Sequence, residues 1–281
     1  MTDSSSHQTS RHSRWLGDLR LALMLLTRLP LPAGKPAGPE DGAVARAAWI
    51  FPVVGLLVGT AGGGVFMLAS HIGLGMASAA LLAMGTQILL TGALHEDGLA
   101  DTADGFGGGR TRERKLEIMR DSRIGTYGVV ALVLILSLRF TALQDIASNL
   151  LSISDELDEV TGQNSAVIIA LIAAGALSRA AMAVVWYLLP PARNDGLAAG
   201  SGTVSFSSAV AAAVIAALIA FAALPGFAFI VACAAAAVLA LAVAALARWQ
   251  IRGHTGDVLG TAQQIAEVGV LLAIGAATVA A

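Results

Sequence analysis

The chain has 281 residues, of which 56% are apolar and only 13% charged, and its mean hydropathy is +0.76. Soluble domains carry roughly 25% charged residues, so the composition excludes an ordinary soluble protein and predicts an integral membrane protein. A net charge of −2 gives no basic field for nucleic acid, and the single cysteine, Cys233, excludes an internal disulfide.

The N-terminus is polar before it becomes apolar. Residues 1–14 are rich in Ser, Thr, His and Arg, and we expect a disordered tail there, followed by one integral membrane catalytic domain over 15–281. Segment 15–31 is short and is interrupted by Arg28 and by prolines at its end, which predicts an interfacial or re-entrant helix, with a full span as the alternative. A cleaved signal peptide is disfavoured because no small-residue cleavage site follows.

Later segments are apolar over the roughly 20 residues that a membrane-spanning helix needs. They are 47–70, 74–94, 126–148, 164–190, 208–224, 227–247 and 258–280. The predicted fold is therefore all-α, a polytopic transmembrane bundle of about seven spans.

Charges between these segments predict an orientation. If 95–125 faces the cytoplasm, then Arg46, the basic residues of 110–123, Arg193, Arg248 and Arg252 all lie on that side, as the positive-inside rule requires. The polar segments 95–125, 190–207 and 249–257 then share the cytoplasmic face. The acidic loop 155–159 falls on the other side and is interpreted as a solvated connection.

Three aspartates follow the second predicted span at helical spacing. Asp97, Asp101 and Asp104 stand at i, i+4 and i+7, which places them on one face of a helix, where like charges repel. Hard oxygen ligands of this kind suit Mg²⁺, with Mn²⁺ as a substitute. A solvated helix end with capping aspartates is the alternative, but it explains one aspartate better than three.

A glycine-rich turn and a basic segment come next. Glycines within 105–109 allow the backbone to approach a ligand closely, and 110–123 carries six basic residues against three acidic ones. Anchoring to anionic lipid explains some of this charge. Beside a carboxylate metal site, binding of a phosphate-rich substrate by arginine explains the rest.

Polar residues also interrupt later spans. Arg139 is expected to extend toward the outer surface, whereas Arg179 either reaches the cytoplasmic site or pairs with an acidic side chain. Segment 248–267 contains His254 and Asp257 between glycines. It is either a second wall of the site, supplying a base or a metal partner, or a loop whose Asp257 caps the next helix.

Together these segments resemble the adenosylcobinamide-GDP ribazoletransferase family, the membrane cobalamin synthases. The resemblance covers nearly the whole chain from residue 16, in the family's order. The matching motifs are LTRLPLP (26–32), FPVVG (51–55), HEDGLADTADG (95–105), EIMRDSRIGTYG (117–128), RNDGL (193–197) and GHTGDVLG (253–260).

The resemblance implies a Mg²⁺-dependent reaction in the bacterial inner membrane. A ribazole hydroxyl attacks the cobinamide-side phosphorus of adenosylcobinamide-GDP and expels GMP, with α-ribazole or its 5′-phosphate as acceptor. Carried onto this sequence, it implies metal ligands Asp97, Asp101 and Asp104; substrate contacts Arg110, Lys115, Arg120, Arg123, Arg179 and Arg193; and Asp121, His254 or Asp257 as base. It leaves room for a homo-oligomer and for contacts with other cobamide-assembly enzymes.

Two alternatives follow from the same residues. The run from Asp101 to Gly105 also resembles the opening of the CDP-alcohol phosphotransferase signature, although the later glycine and paired aspartates do not recur at the proper spacing. A cation-coupled transporter would instead place its carboxylates near the bilayer midplane, whereas these stand at the end of a span beside a basic loop.

Overall fold

A computed structural model describes residues 4–31, 42–149, 159–193 and 201–279, and the regular elements within these ranges are helices. They are α1 Ser4–Leu26, α2 Ala43–Arg46 with a 3₁₀ turn Ala47–Ile50, α3 Phe51–His71, α4 Met76–Thr91, α5 Leu94–Gly108, α6 Arg112–Ile118, α7 Thr126–Asn149, α8 Glu159–Leu188, α9 Phe206–Ala223, α10 Gly226–Ile251 and α11 Gly256–Val279.

Six stretches are long and apolar enough to cross a membrane: α2–α3 together, α7, α8, α9, α10 and α11. A seventh forms if α4 and α5, which meet at an 86° bend, are counted as one broken span. The predicted all-α polytopic bundle is confirmed, and the chain is a multi-pass membrane protein. The predicted span 74–94 corresponds to α4 and the bend that ends it.

The N-terminal helix is not among the candidate spans of the described residues. α1 begins at Ser4, so helix extends into the segment 1–14, and the division between a tail and a catalytic domain stays a prediction. Residues 155–158 of the acidic loop lie outside the described residues.

Small residues allow the central helices to pack closely. α8 and α11 are each 78% buried over their most apolar window, whereas α9 is only 22% buried, so α8 and α11 occupy the middle of the bundle. Where α3 crosses α8, a Cβ added to Gly55 or Gly175 would collide with the backbone of the other helix. Such contacts are the usual basis of helix association where lipid supplies no hydrophobic drive.

The bend between α4 and α5 directs α5 toward the candidate site. Gly92 has φ +67° and Ala93 has φ +56°, a left-handed conformation that glycine adopts without cost. The Arg28 amide donates to the Leu90 carbonyl at 2.7 Å, and the Arg28 side chain covers the space that a Cβ at Gly92 would need. The segment after α1 therefore holds the bend in place.

A buried ion-pair cluster joins α5 to the central helices. Glu267 of α11 accepts from Arg139 of α7 and, at 2.7 Å, from Arg179 of α8. Arg139 also lies 3.7 Å from Glu96 of α5. The expectation that Arg139 extends to the outer surface is wrong: its side chain is 3% exposed, because two carboxylates inside the bundle compensate its charge. Arg179 follows the second alternative and pairs with an acidic residue.

Candidate active site

The site forms where α5 crosses the beginning of α11. A Cβ added to Gly98 would lie 2.9 Å from the Asp257 Cα, so the absent side chain lets the two helices approach closely. The Thr261 hydroxyl donates to the Gly98 carbonyl at 3.2 Å and fixes the crossing. This contact brings Asp97 and Asp101, on either side of Gly98 in the chain, to the N-terminal turn of α11.

The crossing concentrates negative charge. The partly buried Asp101 has the carboxylates of Asp257, Asp97 and Asp104 as like-charged neighbours, and Arg193 as the opposing charge. Arg193 lies 3.8 Å from Asp257. Within the described ranges, no hydrogen bond or ion pair engages the side chains of Asp97 or Asp101. One guanidinium leaves the carboxylates undercompensated, an arrangement that favours a cation.

Asp104 has a partner that the helical spacing did not reveal. Its carboxylate accepts the backbone amides of Gly125 at 2.7 Å and Gly128 at 2.9 Å, at the start of α7. A Cβ on either glycine would overlap the carboxylate, which gives a physical reason for the GTYG sequence at 125–128. Asp104 thus caps a neighbouring helix whose dipole favours an anion, while lone pairs on its oxygens stay available to a ligand.

The donor chemistry fits Mg²⁺, but the described residues alone do not form a complete coordination shell. In the part of the chain that the structure describes, no three or more His, Cys, Asp or Glu side chains are arranged to hold a metal ion. Mg²⁺ usually takes only one or two carboxylates and completes its octahedron with substrate phosphate oxygens and water. Asp97 and Asp101 would supply the two carboxylates of such a site.

Part of the basic segment serves to anchor α6. Arg112 donates through Nε to the Ile251 carbonyl at 2.9 Å and through a second nitrogen to the Ala192 carbonyl. Lys115 donates to the Gln250 side chain. A cation at the last turn of α10 satisfies a free carbonyl and complements the helix dipole. This role of Arg112 could not be predicted, because nothing in the sequence distinguishes it from the surrounding basic residues.

The remaining basic residues are exposed. Arg114 pairs with Glu117 at 2.7 Å, and Arg123 pairs with Asp121 at 2.7 Å. The Arg123 hydrogen bonds lower the pKa of Asp121 to about 2, which makes this carboxylate a poor base at neutral pH. Arg120 is exposed, and Arg110 has no side-chain hydrogen bond or ion pair with the described residues.

The loop before α11 is fixed to the segment after α8. The His254 amide donates to the Pro190 carbonyl at 2.9 Å, and the Ala192 amide donates to the His254 carbonyl at 2.8 Å. The His254 ring is buried and lies 5.9 Å from the Trp186 ring. Burial lowers the pKa of His254 to about 4, so the imidazole is neutral at pH 7. Trp186 was not among the predicted site residues, because in the sequence it is only an aromatic residue close to the end of a span.

Comparisons with known proteins identify the family of the chain. The family model of cobalamin-5-phosphate synthase matches residues 18–275. The chain belongs to the cobalamin-5-phosphate synthase family. A protein of Bradyrhizobium diazoefficiens called adenosylcobinamide-GDP ribazoletransferase is 49% identical over 93% of this chain and 94% of its own length.

Further family members give the same picture. Proteins with the same name from Mesorhizobium japonicum and Azorhizobium caulinodans are 45% and 44% identical, over 92% and 94% of this chain and 92% and 97% of their own lengths. No solved structure matches the chain. The family of membrane cobalamin synthases that the sequence motifs resembled is therefore confirmed, ahead of the CDP-alcohol phosphotransferases and the transporters.

Proposed function

We propose that the protein transfers the adenosylcobinamide phosphate moiety of adenosylcobinamide-GDP to α-ribazole or its 5′-phosphate. A ribose hydroxyl of the acceptor forms a bond to the cobinamide-side phosphorus, the bond from that phosphorus to the bridging oxygen breaks, and GMP leaves. The observation that carries the proposal is the meeting of Asp97, Asp101 and Asp257 beside Arg193, in a chain whose relatives bear the name of this activity.

Asp97 and Asp101 are the proposed Mg²⁺ ligands, and Asp104 is a third only through its remaining lone pairs. Mg²⁺, or Mn²⁺ in its place, would neutralise charge on the diphosphate and on the departing GMP. Asp101 is the stronger candidate of the two, because its carboxylate is the one that the other carboxylates surround. Asp104 keeps α7 in register with α5 through its two amide contacts.

The basic residues near the site differ in how many hydrogen-bond donors they have left for a phosphate. Arg193 and Arg110 have guanidinium donors left for phosphate oxygens, which arginine binds in bidentate fashion. Lys115, Arg120 and Arg123 stay proposed contacts. Arg179 is buried and paired with Glu267, and from there it supports the helix packing rather than the substrate.

Asp257 is the proposed general base. It stands next to the Asp97 and Asp101 pair at the start of α11 and accepts the Thr255 hydroxyl at 3.1 Å, which orients its carboxylate. Asp121 is less suitable, because its carboxylate is committed to Arg123. His254 is placed against Trp186.

We place the protein in the bacterial inner membrane with this site on the cytoplasmic side. The support is electrostatic. The basic segment that includes α6, the end of α10 and Arg193 lie at the end of the bundle that holds the candidate site, and positive charge flanking spans favours the cytoplasmic side. Protease accessibility of α6 in inverted and right-side-out vesicles tests this orientation.

The experiment that tests the activity is product identification by mass spectrometry. Purified protein is incubated with adenosylcobinamide-GDP, α-ribazole and Mg²⁺, and we expect a complete cobamide and an equal amount of GMP. Asp101→Asn is the matched control, which should be folded and inactive. A phospholipid with CMP from a CDP-alcohol, or unchanged substrates, would refute the proposal.

A further inference from the structure

Three side chains near the start of α11 have buried polar atoms that find no hydrogen-bond partner among the described residues. They are Trp186 (Nε1), His254 (Nδ1 and Nε2) and Arg193 (Nε and one terminal nitrogen). Trp186 is 5% exposed and His254 is 1% exposed. Most buried polar groups in proteins are paired, because an unmade hydrogen bond destabilises the folded state. Unpartnered groups gathered in one place point to a ligand that completes them.

The three side chains are held together by the backbone that carries them. Pro191 pairs with His254 in an isolated parallel bridge. The next residue, Ala192, donates its amide to the His254 carbonyl at 2.8 Å, and Arg193 follows directly. The Trp186 and His254 rings lie 5.9 Å apart at 56°. Arg112 bonds the carbonyls of Ala192 and Ile251 and so clamps both segments. The cluster is therefore formed before any ligand arrives.

Hydrogen-bond donors dominate this cluster. The indole and guanidinium nitrogens can only donate, and a neutral imidazole adds one donor and one acceptor. The complementary ligand is rich in oxygen and carries negative charge. Arg193 connects the cluster to Asp257, so that ligand is continuous with the phosphate linkage at the carboxylate pair.

We propose that Trp186, Arg193 and His254 form a subsite for the phosphate of the guanosine nucleotide, the part of the substrate that leaves as GMP. The other oxygen-rich candidate is the 5′-phosphate of the acceptor, but free α-ribazole is an uncharged nucleoside and would leave the donors unpaired. This inference rests on the proposed function, because it assigns one half of the substrate to one wall of the same site.

The test is equilibrium binding of GMP to the purified protein by calorimetry, which requires no turnover. Trp186→Phe removes one N–H donor and keeps an aromatic ring. Because a hydrogen bond to a charged acceptor is worth about 1.5–3 kcal/mol, we expect GMP to bind about tenfold or more weakly, with an unchanged KM for α-ribazole. Trp249→Phe, at an indole that is 77% exposed, is the matched control and should bind GMP like the wild type.

The outcomes separate this inference from the proposed function. Unchanged GMP affinity in Trp186→Phe overturns the proposed subsite. If the KM for α-ribazole 5′-phosphate increases at the same time, the acceptor phosphate binds these donors; if it does not, water binds them. If Trp186→Phe fails to fold, Arg193→Lys is tested instead, because lysine keeps the charge and loses the Nε donor. Wild-type GMP affinity in Arg193→Lys also overturns the proposed subsite. A wild type that binds GMP and makes no cobamide refutes the function and not the subsite.

Discussion

Replacing Asp104 with asparagine separates helix capping from metal binding. The Asp104 carboxylate accepts the amides of Gly125 and Gly128 through different oxygens. Asparagine offers one acceptor oxygen and presents an NH₂ group to the other amide, so one charge-assisted hydrogen bond is lost. Such a bond contributes about 1.5–3 kcal/mol, and loss of the anion at the α7 N-terminus removes about 0.3–1 kcal/mol more. We expect Asp104→Asn to lower the free energy of unfolding by about 2–4 kcal/mol.

Asp101→Asn is the matched control, because Asp101 is surrounded by carboxylates and engages no donor within the described ranges. Without metal, removing its charge relieves repulsion, so its stability should equal or exceed that of the wild type. The assay is SDS-induced equilibrium unfolding in mixed micelles with EDTA present, followed by circular dichroism. Both variants should lose turnover. Wild-type stability in Asp104→Asn, or an equal loss in Asp101→Asn, would refute the distinction between a capping and a cation-binding aspartate.

Four further predictions use the same unfolding and turnover assays. Arg112→Ala should lower the free energy of unfolding by about 1–3 kcal/mol, because it leaves two carbonyls without a hydrogen-bond donor. Arg114→Ala breaks an exposed ion pair and should lower it by at most about 1 kcal/mol. Equal effects of the two substitutions would contradict the anchoring role of Arg112. Glu267→Gln leaves two buried guanidinium groups undercompensated and should cost about 3–5 kcal/mol; a neutral result would contradict the cluster. The pKa of His254 is about 4 in the folded protein and about 6.5 in the unfolded chain, so between these pH values only the unfolded chain binds the proton. The free energy of unfolding should therefore fall by up to about 3 kcal/mol as the pH drops from 6.5 to 4. His254→Gln should make the free energy of unfolding less dependent on pH over this range. Asp121→Asn should retain turnover within a few-fold, and its inactivation would favour Asp121 over Asp257 as base.

The helices were predictable because a membrane-spanning helix requires a long apolar segment, which is visible in the local composition. Apolar length alone located the spans, and the i, i+4, i+7 spacing correctly placed Asp97, Asp101 and Asp104 on one helix, α5. Spacing along one helix says nothing about which neighbour each side chain meets. Asp104 faces the start of α7, while Asp101 faces the start of α11. That difference depends on how α7 and α11 pack against α5, which a hydropathy pattern does not encode.

Charges inside the bundle were the least predictable feature. Arg139 was expected at the outer surface, yet it meets Glu267 and Glu96 from other helices. A charged side chain that reaches the membrane surface and one that pairs inside the bundle have the same sequence pattern. Only the arrangement of the helices distinguishes them. The same holds for the basic segment, where identical arginines serve as an anchor at Arg112 and as an exposed side chain at Arg110.

The central claim is that the Asp97 and Asp101 carboxylates require a divalent cation to act on a phosphate linkage. The most direct measurement is GMP release by the purified wild type from adenosylcobinamide-GDP and α-ribazole, first with EDTA and then after Mg²⁺ is added back. We predict no release in EDTA, full recovery with Mg²⁺, and no recovery in Asp101→Asn. Undiminished GMP release in metal-free buffer would contradict the claim.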